Sequence, residues 1–419
     1  MKIAVIGAGI IGITTAYELA ADGHEVTVFE RRSAAAEETS FANAGVVAPG
    51  YVTPWAAPGM PGKVFRHLLS QHAPVSISMP LSRADIAWMW KWYQSCELST
   101  FIANRSRMQR LAFYSRERLH QLTVSLNLDY DCSQGYLVLL RSEKDSRMIQ
   151  PSLQVLRDGG VSFREVDAAE ARLIEPALNP DTRLFGAVEL PDDGVANCRQ
   201  FSQLLKVQAQ QLGVNFAFNT PVVQLQRFDA ASLLIAGEDH PRVFDRIVMC
   251  AGMASAQLLK PLGLNIPMVP IYGYSVTAPI GEPLNAPRGG LMDERYKVAI
   301  SRLGQRVRVA GSAEIGGSLG IKRASAINTL YKVLQDWFPG AVQHISPGPS
   351  IQEWKGARPM LPDGPPIIGD SGLSGLWLNI GHGSSGWALS CGSARALADM
   401  MAGKPAEIDM EGLGIGRLV

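Results

Sequence analysis

A glycine-rich turn between a strand and a helix near the start of the chain constrains the fold most. The sequence Lys2-Ile-Ala-Val-Ile-Gly7-Ala-Gly9-Ile-Ile-Gly12 predicts an apolar strand that leads directly into a helix over residues 14–21. A second apolar strand, Glu25–Phe29, follows and ends at Glu30. Gly7 permits the tight turn, Gly9 lets the backbone approach a pyrophosphate, and Gly12 lets the helix pack against the strand. The pattern predicts a bound adenine dinucleotide.

Two further features of this segment favour a ligand over an ordinary glycine-rich turn. The helix directs its first N–H groups and its positive dipole end at the phosphates. Glu30 lies 18 residues after Gly12, where a carboxylate accepts hydrogen bonds from ribose hydroxyls. An ordinary turn gives no reason for a carboxylate at the end of the second strand. The fingerprint alone leaves NAD and FAD open.

Composition excludes several other classes of protein. The net charge of +1 over 419 residues gives no indication of a nucleic-acid partner. Five scattered cysteines without a CxxC pair argue against a disulfide framework, and seven histidines without HxxxH spacing predict no metal site. Residues 3–21 are apolar, but the dinucleotide fold must retain them, so they are not interpreted as a signal peptide. We expect a cytoplasmic protein.

The order of predicted elements indicates two architectures interleaved in sequence. The strand at residues 244–252 ends in Ala251-Gly252 and returns the chain to the dinucleotide-binding sheet, whereas residues 266–320 alternate as an antiparallel sheet does. We therefore predict an α/β Rossmann-type domain formed by 1–55, 190–265 and 345–419, and an α+β substrate domain formed by 56–189 and 266–344. Further helices are predicted over residues 82–93, 148–157, 198–212, 325–337 and 388–401.

Four of the eight tryptophans lie between residues 55 and 92. Ser82 with Asp85 three residues later predicts a helix N-cap, after which Trp88, Trp90 and Trp92 follow. One interpretation is a helix packed on both sides. The other is an apolar lid or a membrane-facing patch.

A second informative block lies near the C-terminus. Gly381, Gly383 and Gly386 open the helix at 388–401, and they form a nest of backbone donors at a positive helix end. Such a nest suits the electron-rich edge of an isoalloxazine, so it favours FAD. Arg358 lies between turns rich in glycine and proline, where a surface salt bridge and a clamp on a substrate carboxylate are both open. We interpret His382 as a structural or flavin-edge residue and not as a general base.

These segments together resemble a flavoprotein superfamily. GAGIIGITTAYELAADGHEVTVFERR, ETSFANAG followed by PGYVTPWAAPG, YGYSVT, WKGARPMLPDGPPIIG and NIGHGSSGW are similar to the D-amino acid oxidase, glycine oxidase and sarcosine oxidase superfamily. Within it, they look like the small flavoprotein subunit of the bacterial D-amino acid dehydrogenases, over nearly the whole chain and in the same order.

The resemblance implies FAD, and oxidation of a D-amino acid to a 2-oxo acid and ammonia by hydride transfer from Cα to flavin N5. It assigns Arg358 to the substrate carboxylate, Tyr296 to its assistance and Tyr51 to a substrate-side position. Residues predicted to bind the cofactor are Gly7, Gly9, Ile10, Ile11, Gly12, Glu30, Arg31, Ser40, Asn43, Ala44, Gly45, Val223, Ala251, Gly252, Gly381, His382, Gly383, Ser384, Ser385 and Gly386.

Three points stay open within this resemblance. Some sarcosine oxidase relatives bind flavin through a cysteine near the Arg358 block, and Met360-Leu361-Pro362 contains none, which predicts non-covalent FAD. A dehydrogenase implies a quinone or respiratory acceptor and, through the aromatic segment, a peripheral contact with the inner face of the cytoplasmic membrane. The alternatives are an amine oxidase of the glycine or sarcosine type, a D-hydroxyproline dehydrogenase, and a dinucleotide-binding redox sensor without catalysis.

Overall fold

A computed structural model describes residues 1–67, 72–227, 231–342 and 350–418. In this part of the chain the strands, β1 to β19 in order, are Lys2–Ile6, Glu25–Phe29, Val46–Val47, Val75–Ser78, Cys132–Leu140, Arg164–Asp167, Gly186–Ala196, Asn215–Ala217, Val222–Arg227, Ala231–Ile235, Arg242–Phe244, Arg246–Met249, Val269–Pro279, Gly290–Asp293, Val298–Leu303, Arg306–Gly316, Gln352–Met360, Ile367–Asp370 and Leu376–Ile380. The α-helices, α1 to α10, are Ile10–Ala21, Met60–His67, Arg83–Gln94, Leu98–Ser125, Glu143–Asp158, Ala168–Ile174, Cys198–Gln211, Ala254–Leu259, Ala324–Trp337 and Gly386–Met401.

The first sheet is the predicted Rossmann-type sheet. Its order is β18-β19-β12-β1-β2-β8, with parallel pairing from β19 to β8 and an antiparallel edge strand, β18. β1 therefore lies between β2, which follows it in sequence, and β12, which comes more than 200 residues later. Ligands of such sheets bind beyond the carboxyl ends of the strands where the connections diverge to either side. Here that point is the turn from β1 to α1.

The second sheet has ten strands and carries the substrate-side residues. Its main path is β17-β13-β16-β15-β14-β5-β7-β3, while β4 pairs with β16 and β6 with β7. One face is buried under α9, where Tyr274, Val276 and Ile300 pack among apolar side chains of the helix. Because successive side chains of a strand point to opposite faces, Arg358, which is in register with Ile271, lies on the other face. That second face turns toward the loop at 40–47.

Helices α1, α4 and α10 are joined by a buried ionic cluster. Glu18 of α1 is fully buried and accepts hydrogen bonds from Arg118 of α4 at 2.7 Å and Arg395 of α10 at 2.9 Å. Arg395 also pairs with Asp22 and Asp399. Since a buried carboxylate is stable only when it is paired and hydrogen-bonded, this cluster fixes α1 against the two neighbouring helices.

Helix α3 packs on one side only. Ser82 and Asp85 form the predicted capping box, and Trp88 is buried and donates from Nε1 to the Met360 carbonyl at 2.9 Å. On the opposite side, Trp90 and Tyr93 are 62% and 56% exposed and stack with their ring centres 5.8 Å apart. The prediction of a helix packed on both sides is therefore wrong for α3.

The predicted helices are all present, with bounds that differ by a few residues at their ends. The chain alternates between the two sheets more often than the predicted domain limits imply. Strands β3 and β17, and most of β7, lie in segments assigned to the Rossmann-type domain, but all three join the ten-stranded sheet. The predicted limit at 344/345 lies outside the described residues, and the division into domains stays a prediction. No helix of the described residues is both long and apolar enough to cross a membrane.

Candidate active site

The turn from β1 to α1 has the geometry that the glycine pattern predicts. Gly7 adopts φ +103°, and a Cβ there would lie 2.7 Å from the Cys250 carbonyl oxygen. A Cβ on Gly12 would overlap the Gly7 carbonyl oxygen, so α1 approaches β1 as closely as it does only with glycine at this position. Gly9 is the N-cap of α1, and no side chain caps the helix at that residue. Apart from the Ile10 N–H, which donates to the Ser40 hydroxyl, the start of α1 is formed by backbone groups, which is the arrangement that binds phosphates.

Glu30 and Arg31 end β2 in different ways. The Glu30 carboxylate accepts hydrogen bonds from the Ala8 N–H at 2.7 Å and the Arg32 N–H at 2.8 Å, which place it beside the glycine turn. Each carboxylate oxygen keeps a further lone pair, so Glu30 can still accept a hydroxyl. Arg31 instead pairs with Glu38 at 2.6 Å and is about half exposed.

Three other predicted contacts lie near these elements. Ala251 and Gly252 follow Cys250 at the end of β12, and the Cys250 N–H donates to the Ile6 carbonyl of β1 at 2.9 Å. Val223 lies on β9 and is 52% exposed; the Thr220 N–H nearby donates to the Glu30 carbonyl. The structure thus brings these segments to the same edge of the parallel sheet.

The loop at 40–45 connects this edge with the ten-stranded sheet. The Ser40 hydroxyl accepts from the Ile10 N–H at 3.0 Å, and the Asn43 side chain accepts from the Gly45 N–H at 2.9 Å. Gly45 adopts φ +83°, a conformation that favours glycine. From the other side, Ser301 donates to the Ala44 carbonyl at 2.7 Å, so the ten-stranded sheet fixes the position of the loop.

The glycines that precede α10 form the second set of backbone turns. Gly381 and Gly383 adopt φ +77° and +56°. A Cβ at Gly381 would overlap the Leu361 side chain, and one at Gly383 would lie 2.7 Å from Met360 Sδ. Ser384 and Ser385 complete a short 3₁₀ turn, and α10 begins at Gly386 with no side-chain cap at Ser385. This end of α10 also presents backbone groups.

His382 is buried and uncharged. Burial lowers the pKa of its imidazole to about 3. Ser393 donates its hydroxyl to the Leu389 carbonyl at 2.7 Å, so at the 3.0 Å contact the hydroxyl accepts from His382 Nε2–H. This contact supports the predicted structural role, because Nε2 is already committed as a donor.

Arg358 is a cation without an acidic partner among the described residues. Its Nη1 donates to the Ser312 carbonyl at 3.0 Å, and its guanidinium lies 5.8 Å from the centre of the Trp55 ring. A side chain at Gly273 would overlap the guanidinium, so glycine at this position leaves room for it. The side chain is only partly exposed, and burial lowers its pKa to about 10, well above neutral pH. Among the described residues no surface salt bridge engages Arg358, and its role as a carboxylate clamp stays a prediction.

The predicted partnership of Tyr296 with Arg358 needs correction. The Tyr296 ring packs 5.1 Å from the Arg141 guanidinium, against the apolar cluster under α9. It thus lies on the α9 side of the ten-stranded sheet, whereas Arg358 lies on the opposite side. The resemblance identified Tyr296 by its position in the sequence, but it did not show toward which face of the sheet the ring points.

Tyr51 lies on the same side of the ten-stranded sheet as Arg358, but in a separate cluster. Its hydroxyl donates to Glu294 at 2.8 Å and accepts from Lys297 at 3.1 Å, while its ring packs against Tyr136. Burial and the Glu294 carboxylate hold the pKa of the Tyr51 hydroxyl well above its usual value. A substrate-side role for Tyr51 stays a prediction.

Two residues that position the site were missed from the sequence. Arg308 on β16 is 4% exposed and donates to the Asn43 carbonyl at 2.7 Å, and Trp88 holds the Met360 carbonyl. The alternation Arg306-Val-Arg308-Val contained the signal for Arg308, because a charged side chain opposite two buried valines points to the other face. Trp88 gave no comparable signal among so many aromatic neighbours.

The arrangement fits a flavin dinucleotide. Glycines that admit no Cβ lie at both helix starts, Glu30 can accept a hydroxyl, and the loop at 40–45 runs from the first glycine turn to the ten-stranded sheet. Among the described residues, no three His, Cys, Asp or Glu side chains are grouped as metal ligands.

Comparison with known proteins agrees with this geometry. The family model described as FAD dependent oxidoreductase matches residues 2–400, so the chain belongs to this family and is an FAD-dependent oxidoreductase. D-amino acid dehydrogenases of Rhodopseudomonas palustris and Cereibacter sphaeroides are 42% and 41% identical to it. Each alignment covers 100% of this chain, with 98% and 96% of the relatives.

Solved structures share the fold. Glycine oxidase from Geobacillus kaustophilus superposes with a TM-score of 0.77 at 20% identity, covering 100% of this chain and 98% of the other. L-proline dehydrogenase from P. horikoshii gives 0.73 at 16% identity, covering 100% and 97%. At such identities the likeness concerns the fold alone, and it confirms the predicted fold class.

Proposed function

We propose that this chain is a D-amino acid dehydrogenase, which oxidises a D-amino acid to the 2-oxo acid and ammonia. The observation that carries the proposal is Arg358, a largely buried guanidinium without an acidic partner among the described residues, on the sheet face toward the loop at 40–45. A planar guanidinium matches the two oxygens of a carboxylate. The names of the relatives at about 40% identity support the same substrate class.

The protein contributes mainly by positioning. The Ser312 carbonyl orients one side of the Arg358 guanidinium, and its remaining N–H groups are left to hold the substrate carboxylate. The two glycine turns would hold FAD, which would supply the hydride acceptor when bound. Fixing the substrate in one orientation accounts for much of the acceleration, so a dedicated base is not required. His382 stays neutral and its Nε2 is committed to Ser393, so we do not assign it proton transfer.

Non-covalent attachment of FAD belongs to the same proposal. Of the five cysteines, three are buried, and none lies in the Met360-Leu361-Pro362 segment beside the second glycine turn. Acid precipitation of the purified protein is expected to leave all FAD in the supernatant. Flavin that stays with the pellet would contradict this.

The electron acceptor is proposed to be a membrane quinone. Trp90, Tyr93 and Ile86 form an apolar surface on the outer side of α3, and the exposed Arg83 and Lys91 provide positive charge. The inner side of the same helix holds the Met360 carbonyl through Trp88, two residues from Arg358. Exposed aromatic side chains flanked by cations suit the interface of an anionic bilayer. We propose that this surface makes a peripheral contact with the inner face of the cytoplasmic membrane.

Acceptor choice and membrane contact are tested separately. With excess D-amino acid, fast reduction of a short-chain quinone and little peroxide would support the dehydrogenase, whereas stoichiometric peroxide would favour an oxidase. Sedimentation with anionic vesicles is expected to decrease in Trp90→Ser and Tyr93→Ser. The control Leu284→Ser removes a side chain that is 85% exposed elsewhere, and it should sediment as the parent does. Equal sedimentation of all variants would contradict the α3 contact.

A further inference from the structure

A cavity with a volume of about 340 Å³ lies between the first turn of α7 and the β15–β16 hairpin. Arg199, Arg306 and Arg308 contribute to its wall, together with Asp131 and Phe41. None of the residues predicted to bind the cofactor lines it. The cavity is therefore separate from the predicted cofactor site.

The charges in this wall are unbalanced. Asp131 is the single acid of the wall, and its carboxylate accepts from the Asn197 side chain at 3.1 Å. No ion pair among the described residues engages Arg199, Arg306 or Arg308. One carboxylate against three guanidinium groups leaves the cavity with an excess of positive charge. The start of α7 adds a positive dipole end, and its first turn contains no acidic residue.

Arg308 is the buried member of this group. It is 4% exposed, and its hydrogen bonds from Nε to Thr277 at 2.9 Å and from Nη1 to the Asn43 carbonyl at 2.7 Å go to neutral groups. Burial, with Arg306 nearby, lowers the pKa of the Arg308 guanidinium to about 10. Arg199 is held over the Phe41 ring at 4.2 Å, so its guanidinium is also fixed at the wall. The charges of Arg306 and Arg199 both act on Arg308, and such like charges are unfavourable together unless an anion compensates them.

We propose that this cavity binds a small oxyanion, the phosphate or carboxylate group of a metabolite. Guanidinium groups bind such oxyanions with charge-assisted hydrogen bonds, and a bound anion would neutralise the three arginines together. Binding there would also act on the cofactor loop, because Arg308 holds the Asn43 carbonyl and the Asn43 side chain holds the Gly45 N–H. The ligand therefore stabilises the loop that joins the two sheets.

The test uses the FAD-loaded protein with inorganic phosphate and, separately, acetate as probes, against chloride at matched ionic strength. Calorimetry is expected to show saturable binding of at least one probe, and thermal unfolding an increase in Tm that saturates over the same range. Each of Arg306→Gln and Arg199→Gln should weaken binding by about tenfold, since each removes one charge-assisted contact. Arg147→Gln is the matched control, because it removes an exposed arginine from α5 whose ion pair within the described ranges is with Glu143.

The two probes distinguish the source of the oxyanion. Binding of phosphate alone identifies a phosphate group, and binding of acetate alone a carboxylate. Three results would overturn the proposal: no saturable binding of either probe, equal binding by the Arg306→Gln and Arg147→Gln proteins, or binding only after FAD is removed. The last result would assign the cavity to the cofactor site. The readout does not depend on amino acid oxidation, so it stands whether or not the proposed activity is found.

Discussion

Replacement of Arg358 by methionine distinguishes a role in substrate binding, which would lower kcat/KM, from a structural role, which would lower stability. Methionine keeps much of the side-chain length but removes the charge and all N–H donors. The guanidinium has one hydrogen bond, to the Ser312 carbonyl, and no acidic partner among the described residues. Since an unpaired buried cation is unfavourable, we expect the free energy of unfolding of the substrate-free protein to stay the same or to rise.

The effect on catalysis is expected to be large. Loss of a desolvated contact between a charge and a carboxylate costs about 2–5 kcal/mol. This corresponds to a decrease in kcat/KM from roughly 30-fold to a few thousand-fold. The assay is D-amino acid oxidation with an artificial acceptor, and the flavin absorbance of the purified variant confirms that FAD is retained.

A matched control is Arg302→Met. Arg302 lies on β15 of the same sheet and donates to backbone carbonyls of Gly304, Pro283 and Pro287. Its loss should lower stability and leave kcat/KM within about twofold, because a hydrogen-bonded side chain away from the site is removed. Normal kinetics in Arg358→Met, or a large loss of its stability with unchanged kinetics, would refute the assignment of Arg358 as the carboxylate clamp.

Three other perturbations test the scaffold. Gly12→Ala should lower FAD affinity at least tenfold in a fluorescence titration, because the added Cβ would overlap the Gly7 carbonyl. The control is Gly320→Ala, whose added Cβ meets no atom within 4 Å, and it should bind FAD normally. Glu18→Ala should reduce the free energy of unfolding, measured in urea, by ~3–5 kcal/mol, since Arg118 and Arg395 lose a buried partner. The control Glu143→Ala breaks an exposed ion pair and should reduce it by under ~1 kcal/mol. Equal losses in the two variants would contradict the role of the buried cluster. Burial raises the pKa of Asp193 from 3.8 to about 7, so the folded state binds more protons than the unfolded state between these values, and its stability falls as the pH rises through that window. Asp193→Asn should remove this loss of stability, which is on the order of 4 kcal/mol. The variant should therefore be more stable than the parent at pH 8 but not at pH 4. The same stability difference at both pH values would show that Asp193 does not titrate in this range.

The parallel half of the fold was predictable because its signals are local. Gly7, Gly12 and Glu30 lie within one strand–helix–strand unit, where spacing in the sequence determines distance in space. The glycines at 381–386 were likewise identifiable, since they cluster at the start of a helix, and two of them adopt positive φ in the structure.

The substrate-side geometry was less predictable because it depends on which face of a long sheet a residue occupies. Tyr296 follows β14 in a turn, and its ring packs against Arg141 under α9 instead of turning toward Arg358. Arg308 on β16 and its neighbour Ser301 on β15 both contact the loop at 40–45, which lies more than 250 residues away in sequence, and no single segment reveals that approach. The one-sided packing of α3 depends in the same way on the sheet beneath it.

The most direct test of the proposed activity is anaerobic reduction of the bound flavin. The purified FAD-loaded protein is mixed without oxygen with single D- and L-amino acids, including proline derivatives, and the flavin absorbance is followed. We predict rapid bleaching by one or more D-amino acids, little change with the L-enantiomers, and recovery of absorbance when a quinone is added. A flavin that stays oxidised with every D-amino acid, or that bleaches equally with both enantiomers, would contradict the account.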